Sequence, residues 1–67
     1  MNVDTVARRV LAEFEEMPGM ALTLRQAARL FGLDQESCRV VLDALVDSAY
    51  LRQTGGGTVT RGERVAA

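Results

Sequence analysis

Apolar residues recur every three or four positions through the first quarter of the chain, at Val3, Val6, Ala7, Val10, Leu11, Phe14 and Met17. That is the period of an amphipathic helix. Arg8, Arg9, Glu13, Glu15 and Glu16 fill its other side. The pattern predicts a helix over residues 3–17, capped by Asn2 or Asp4. Pro18-Gly19 ends it, because proline has no amide proton to donate and glycine accepts positive φ. The link over residues 20–23 is too short for a helix and reads as a brief edge strand. Thr23 and Gln26 have the spacing of a capping box, in which a hydroxyl and a side-chain carbonyl satisfy each other's backbone amides. A second helix follows, with Ala27, Ala28, Leu30 and Phe31 as its apolar face. Gly32 is the left-handed residue expected to stop it.

The strongest periodic signal comes next. Cys38, Val41, Leu42, Leu45, Val46 and Ala49 form one stripe on a third helix, spanning 34–50 with Asp34 as its cap. Gln35, Glu36, Arg39, Val40, Asp43 and Asp47 lie largely outside the stripe. After Tyr50 the period changes. Leu51-Arg52-Gln53-Thr54, Gly55-Gly56-Gly57 and Thr58-Val59-Thr60-Arg61 read as a hairpin over 51–61 that pairs Thr54 with Thr58. This register puts Leu51 and Val59 on one face, free to cover the helices. Residues 1–61 are expected to form one domain, and 62–67 a disordered C-terminal tail. The fold class is mainly α with a small β-hairpin.

Composition narrows the function. A chain of 67 residues buries roughly 60% of its unfolded surface, so a stability of only a few kcal/mol is expected. Cys38 is the lone cysteine and is expected in the core of a protein held in a reducing cytoplasm. Met1-Asn2-Val3-Asp4 lacks the basic start and apolar run of a secretory signal. No apolar run approaches the roughly 20 residues that span a bilayer. The chain has no histidine, so its Ser and Thr hydroxyls have no imidazole to activate them, and no zinc-ligand cluster is present. Glu15 and Glu16 are adjacent on a helix and diverge, so they do not make an acid–base pair. The Gly55–Gly57 run precedes a strand, so no helix N-terminus points at it to bind phosphate. An enzyme is not expected, and no cofactor is implied. Nine acidic residues face eight basic ones, all arginine, so any contact with nucleic acid depends on where individual arginines sit.

Helix, short strand, helix, helix and hairpin, with the second and third helices joined by Gly32-Leu33, is the order of a three-helix winged helix-turn-helix. The stretch Leu22-Thr-Leu-Arg-Gln-Ala-Ala-Arg-Leu-Phe-Gly-Leu-Asp34 resembles the second helix and turn of bacterial winged-helix regulators. Val41-Leu-Asp-Ala-Leu-Val-Asp-Ser-Ala-Tyr-Leu51 resembles the end of their recognition helix leading into the wing. Glu16-Met-Pro-Gly19, Gln26-Ala27 and Cys38 are similar to small bacterial proteins of the same layout. The resemblance implies DNA binding in the cytoplasm. Base-reading positions would fall on Gln35, Glu36, Ser37, Arg39 and Val40, in the part of the helix that enters the major groove. Gln35 is suited to adenine and Arg39 to guanine. Phosphate contacts would fall on Arg25 and Arg29 of the second helix and on Arg52 and Arg61 of the wing.

Alternatives stay open at several of these positions. Ser37 is either a contact to DNA or the third residue of the helix cap. Arg39 either contacts nucleic acid or pairs with Glu36 or Asp43. Val40 stands where the family commonly has a basic residue, and Glu36, Asp43 and Asp47 are acidic. Those departures suit a second class of function, a protein-interaction module on the same scaffold. A homodimer that shares Val3, Val6 and Val10 between core and interface is a further expectation.

Overall fold

The computed structural model describes residues 2–64. It contains α1 (Val3–Glu16), β1 (Ala21–Thr23), α2 (Leu24–Phe31), α3 (Gln35–Asp47), β2 (Leu51–Gln53) and β3 (Thr58–Arg61). Each helix starts on a polar cap. The Asn2 side chain accepts from the Thr5 amide at 3.2 Å, and the Asp34 carboxylate accepts from the Ser37 amide at 2.9 Å. At α2 the capping box is complete. The Thr23 amide donates to Gln26 Oε1 at 2.9 Å, and the Gln26 amide donates to Thr23 Oγ1 at 3.1 Å. Gly32 takes the left-handed conformation at φ 69°, and the Leu33 amide reaches back to the Ala28 carbonyl at 2.9 Å. The tight turn between α2 and α3 is therefore built by Gly32 and Leu33, with the Asp34 cap next in the chain.

The stripes read from the sequence converge on one core. Val10, Leu11 and Phe14 enter from α1, and Ala27, Ala28 and Phe31 from α2. Cys38, Val41, Leu42 and Leu45 enter from α3, and Leu51 and Val59 close the core from the hairpin. Cys38 is fully buried there. Burial, and then the charge of Asp34, pushes its thiol above the usual range, so it stays protonated.

Four residues expected inside are outside: Val3 and Met17 at the two ends of α1, Leu30 and Ala49. Leu30 is 52% exposed. At 100° per residue it stands about 110° round the helix from the middle of the Ala27–Ala28–Phe31 stripe. Ala49 is exposed as well, because α3 stops at Asp47 and Ala49 turns left-handed at φ 66°. The Ala49 amide donates to the Val46 carbonyl and the Tyr50 amide to the Leu45 carbonyl, both at 3.0 Å. This is the paired closure that normally uses glycine at that position.

The hairpin register agrees with expectation, with Gln53 opposite Val59 and the Thr54 amide bonded to the Thr58 carbonyl at 2.9 Å. Gly57 alone in the loop has positive φ, 78°. The short strand adds to the hairpin: β1 pairs antiparallel with β3, giving a three-stranded sheet in the order β1-β3-β2. Directly paired residues share a face of an antiparallel sheet. Leu22, Leu51, Gln53, Val59 and Arg61 therefore lie on the face turned to the helices, and Ala21, Thr23, Arg52, Thr58 and Thr60 on the other. Helix pair, capped turn and hairpin together give the winged helix-turn-helix layout.

The start of the expected tail is ordered. The Gly62 amide donates to the Tyr50 carbonyl at 2.8 Å, and the Arg64 amide to the Ala49 carbonyl at 3.0 Å. The Arg64 guanidinium sits 4.7 Å from the centre of the Tyr50 ring. Residues 62–64 thus clasp the α3–β2 turn, where fraying from residue 62 was expected; residues 65–67 lie outside the described residues. Among the described residues no helix is long and apolar enough to cross a membrane.

Candidate nucleic-acid interface

The first two turns of α3 present an outer side free of the core. Gln35, Glu36, Arg39 and Val40 are all exposed, whereas Cys38 faces the core. The Asp34 cap holds this end in place. The Ser37 hydroxyl, and then the Ser37 amide, keep the Asp34 carboxyl below its usual range. Ser37 is half-buried and committed to the cap, which favours the second of the two roles open for it.

The lowered pKa of Asp34 links the cap to pH. A carboxylate with a depressed folded pKa adds stability above its unfolded pKa and loses it as pH falls through the folded one. The advantage of wild type over Asp34→Asn is therefore expected at about pH 7 and should be smaller at about pH 3, below the ordinary carboxylate pKa. Thermal melts of both proteins at the two pH values check this. An equal gap at both would mean that the cap works through shape alone.

Arg39 is the centre of the surface. It lines one shallow hollow with Leu24, Gln35 and Glu36. It also lines a second hollow with Leu24, Leu42, Asp43, Gln53, Gly57 and Val59. The start of α2, the first part of α3 and the tip half of the wing therefore meet around Arg39. Glu36 and Asp43, three residues before and four after it, share those hollows and place two carboxylates beside the positive charge. On α2, Arg25 and Arg29 are exposed and four residues apart, so they stand on one side of the helix. Leu30 and Val40, each 52% exposed, are large apolar side chains on the outer surface of the helix pair.

The two wing arginines are not brought to this surface together. Arg52 and Arg61 lie on opposite faces of the sheet, near its base and away from the Gly55–Gly57 tip. Arg52 borders a hollow with Val46, Ala49, Gly62 and Glu63, and Arg61 is half-buried opposite Leu51. The wing residues that do border Arg39 are Gln53, Gly57 and Val59, of which Gln53 has the polar side chain. Strand alternation carries that signal, since Gln53 lies two residues from Leu51 and so on the same face. Among the described residues there is no group of three or more acidic, cysteine or histidine side chains placed to hold a metal ion.

Comparison of the chain with protein-family models, with curated proteins and with solved structures finds no match. The functional reading therefore stands on the fold and on the residues around Arg39.

Proposed function

We propose that this is a small DNA-binding protein, a transcription regulator of the cytoplasm, that sets α3 in the major groove and uses the hairpin as its wing. The observation that carries the reading is the convergence of α2, α3 and the wing on Arg39. An exposed arginine in the first half of a recognition helix, beside an exposed glutamine, suits the donor and acceptor pattern of base edges. In this arrangement Arg39 reads guanine and Gln35 adenine. Arg25 and Arg29 contact phosphates from α2, as a short ladder along one strand. Arg52 and Arg61 sit at the base of the wing, where they contribute at most a flanking phosphate contact.

A second reading, a non-catalytic module that docks on another protein, is favoured by the exposed Leu30 and Val40 and by the carboxylates of Glu36 and Asp43. Salt dependence separates the two. If three or four phosphates are neutralised, log affinity should fall against log salt with a slope of about −2.7 to −3.6. Raising salt from about 50 to 200 mM then weakens binding roughly 40- to 150-fold. Fluorescence anisotropy with a duplex of about 30 base pairs measures it. Arg39→Ala should cost about 1–3 kcal/mol on the preferred sequence and flatten the preference. A uniform loss on every sequence would make Arg39 a phosphate contact. No binding even at low salt would leave the protein-docking reading in its place.

A further inference from the structure

Among the described residues, one surface takes no part in the arrangement around Arg39. It runs along α1, where Arg8, Leu11, Ala12, Glu15 and Glu16 line a shallow hollow. A second hollow shares Arg8 and Leu11 and continues over Val3 and Ala7 to Ala44 and Tyr50, at the far end of α3. The two form one open groove. Val3, Ala7 and Leu11 bring one edge of the α1 apolar stripe to this surface. Of the three valines expected to be shared between core and interface, Val10 is fully buried and Val6 half-buried, whereas Val3 is exposed and lines the groove.

The groove has a charge order. Arg8 lies toward the N-terminal end, Leu11 and Ala12 occupy the middle, and Glu15 and Glu16 lie at the C-terminal end. Residues 8, 11, 12 and 15 fall on one side of a helix. We infer that this face is self-complementary and pairs antiparallel with the same face of a second copy.

The register follows from the positions. A two-fold axis between Leu11 and Ala12 sets Arg8 of one copy against Glu15 of the other, and does so twice by symmetry. Ala12, exposed and small, then lies beside the axis and lets the two helices approach closely, while Leu11, 7% exposed, stays in the core of its own copy. Glu16 adds a second negative charge beside the partner copy's Arg8. Asp4 falls opposite Gly19, past the end of the helix, so it meets no like charge in this register. A parallel arrangement fails, because it sets Arg8 against Arg8 and Glu15 against Glu15. None of Arg25, Arg29 and Arg39 lines the groove, so the inference does not rest on the DNA reading.

Sedimentation equilibrium of the full chain tests it. The wild type should associate as a dimer, more weakly as salt rises. Arg8→Glu should weaken association about tenfold or more, because symmetry counts the substitution twice. The double variant Glu15→Arg/Glu16→Arg should do the same. An equimolar mixture of the two should associate again as a one-to-one pair, since glutamate at position 8 of one then faces arginines of the other. Thermal melts confirm that each variant is folded. Should the double variant fail to fold, Glu16→Arg alone replaces it in the mixture. A wild type that stays monomeric to about 1 mM would overturn the inference. So would a mixture that associates no better than its components.

Discussion

Gly62→Ala is expected to destabilise the protein by about 3 kcal/mol or more, the upper range of overpacking effects. A Cβ at this position would stand 2.4 Å from the Ala49 carbonyl oxygen and 3.0 Å from the carbonyl carbons of Tyr50 and Leu51. All three are backbone atoms, so no rotamer change relieves the overlap. Relief requires β3 to pull away from the α3–β2 turn, and that movement breaks the 2.8 Å bond from Gly62 to Tyr50 and the 3.0 Å bond from Arg64 to Ala49. Ala49 cannot shift cheaply, because its left-handed backbone already closes α3. A domain of this size holds only a few kcal/mol in all, so a large unfolded fraction at 25 °C follows. Gly56→Ala is the control, since nothing lies within 4 Å of the added methyl group and its φ is not positive. Urea unfolding followed by circular dichroism compares them. If Gly62→Ala melts within about 2 °C of wild type, the clasp does not form in solution.

That clasp is also where the sequence was least informative. The three helices were legible because each rule involved is local. Periodicity set their faces, and Asn2, Thr23, Asp34 and Gly32 set their ends through side chains three residues from their partners or through one backbone angle. The hairpin register was legible because a three-residue loop fixes it. Leu30 misled because an apolar type does not report angle; three apolar neighbours define a stripe and the fourth lies off it. Glycine at 62 and arginine at 64 look like an unstructured end, and their partners at 48–50 are more than ten residues away in sequence. The candidate site divides in the same way. Gln35 and Arg39 follow from helix phase alone. The separation of Arg52 from Arg61 follows from strand parity and was readable from the hairpin register. The meeting of Arg39 with Gln53 and Gly57 depends on how the sheet folds onto α3, a long-range packing result that no local pattern encodes.

Phe14→Ala should have the other large effect, about 3–5 kcal/mol, typical of removing a buried phenylalanine. Phe14 has no exposed surface and is the largest of the fully buried side chains. It belongs to α1, which packs on both α3 and β3, so its ring lies where the helices meet the sheet. The loss has two parts: apolar area returned to water on unfolding no longer counts, and the cavity left behind removes contacts from the surrounding side chains. The core, twelve residues among those described, has few others to close that cavity. The expected loss equals or exceeds the stability of a domain this small, so Phe14→Ala should be largely unfolded at 25 °C. Phe14→Leu should recover part of the loss, because an aliphatic side chain fills much of the same space. Val40→Ala, on an exposed position of α3, should change little. Circular dichroism melts of the three variants order them. A Phe14→Ala protein that keeps its helical signal and its melting temperature would mean that α1 is not part of the cooperative unit. In that case Val10 and Leu11 would not be core residues, and the groove between α1 and α3 would have no fixed wall.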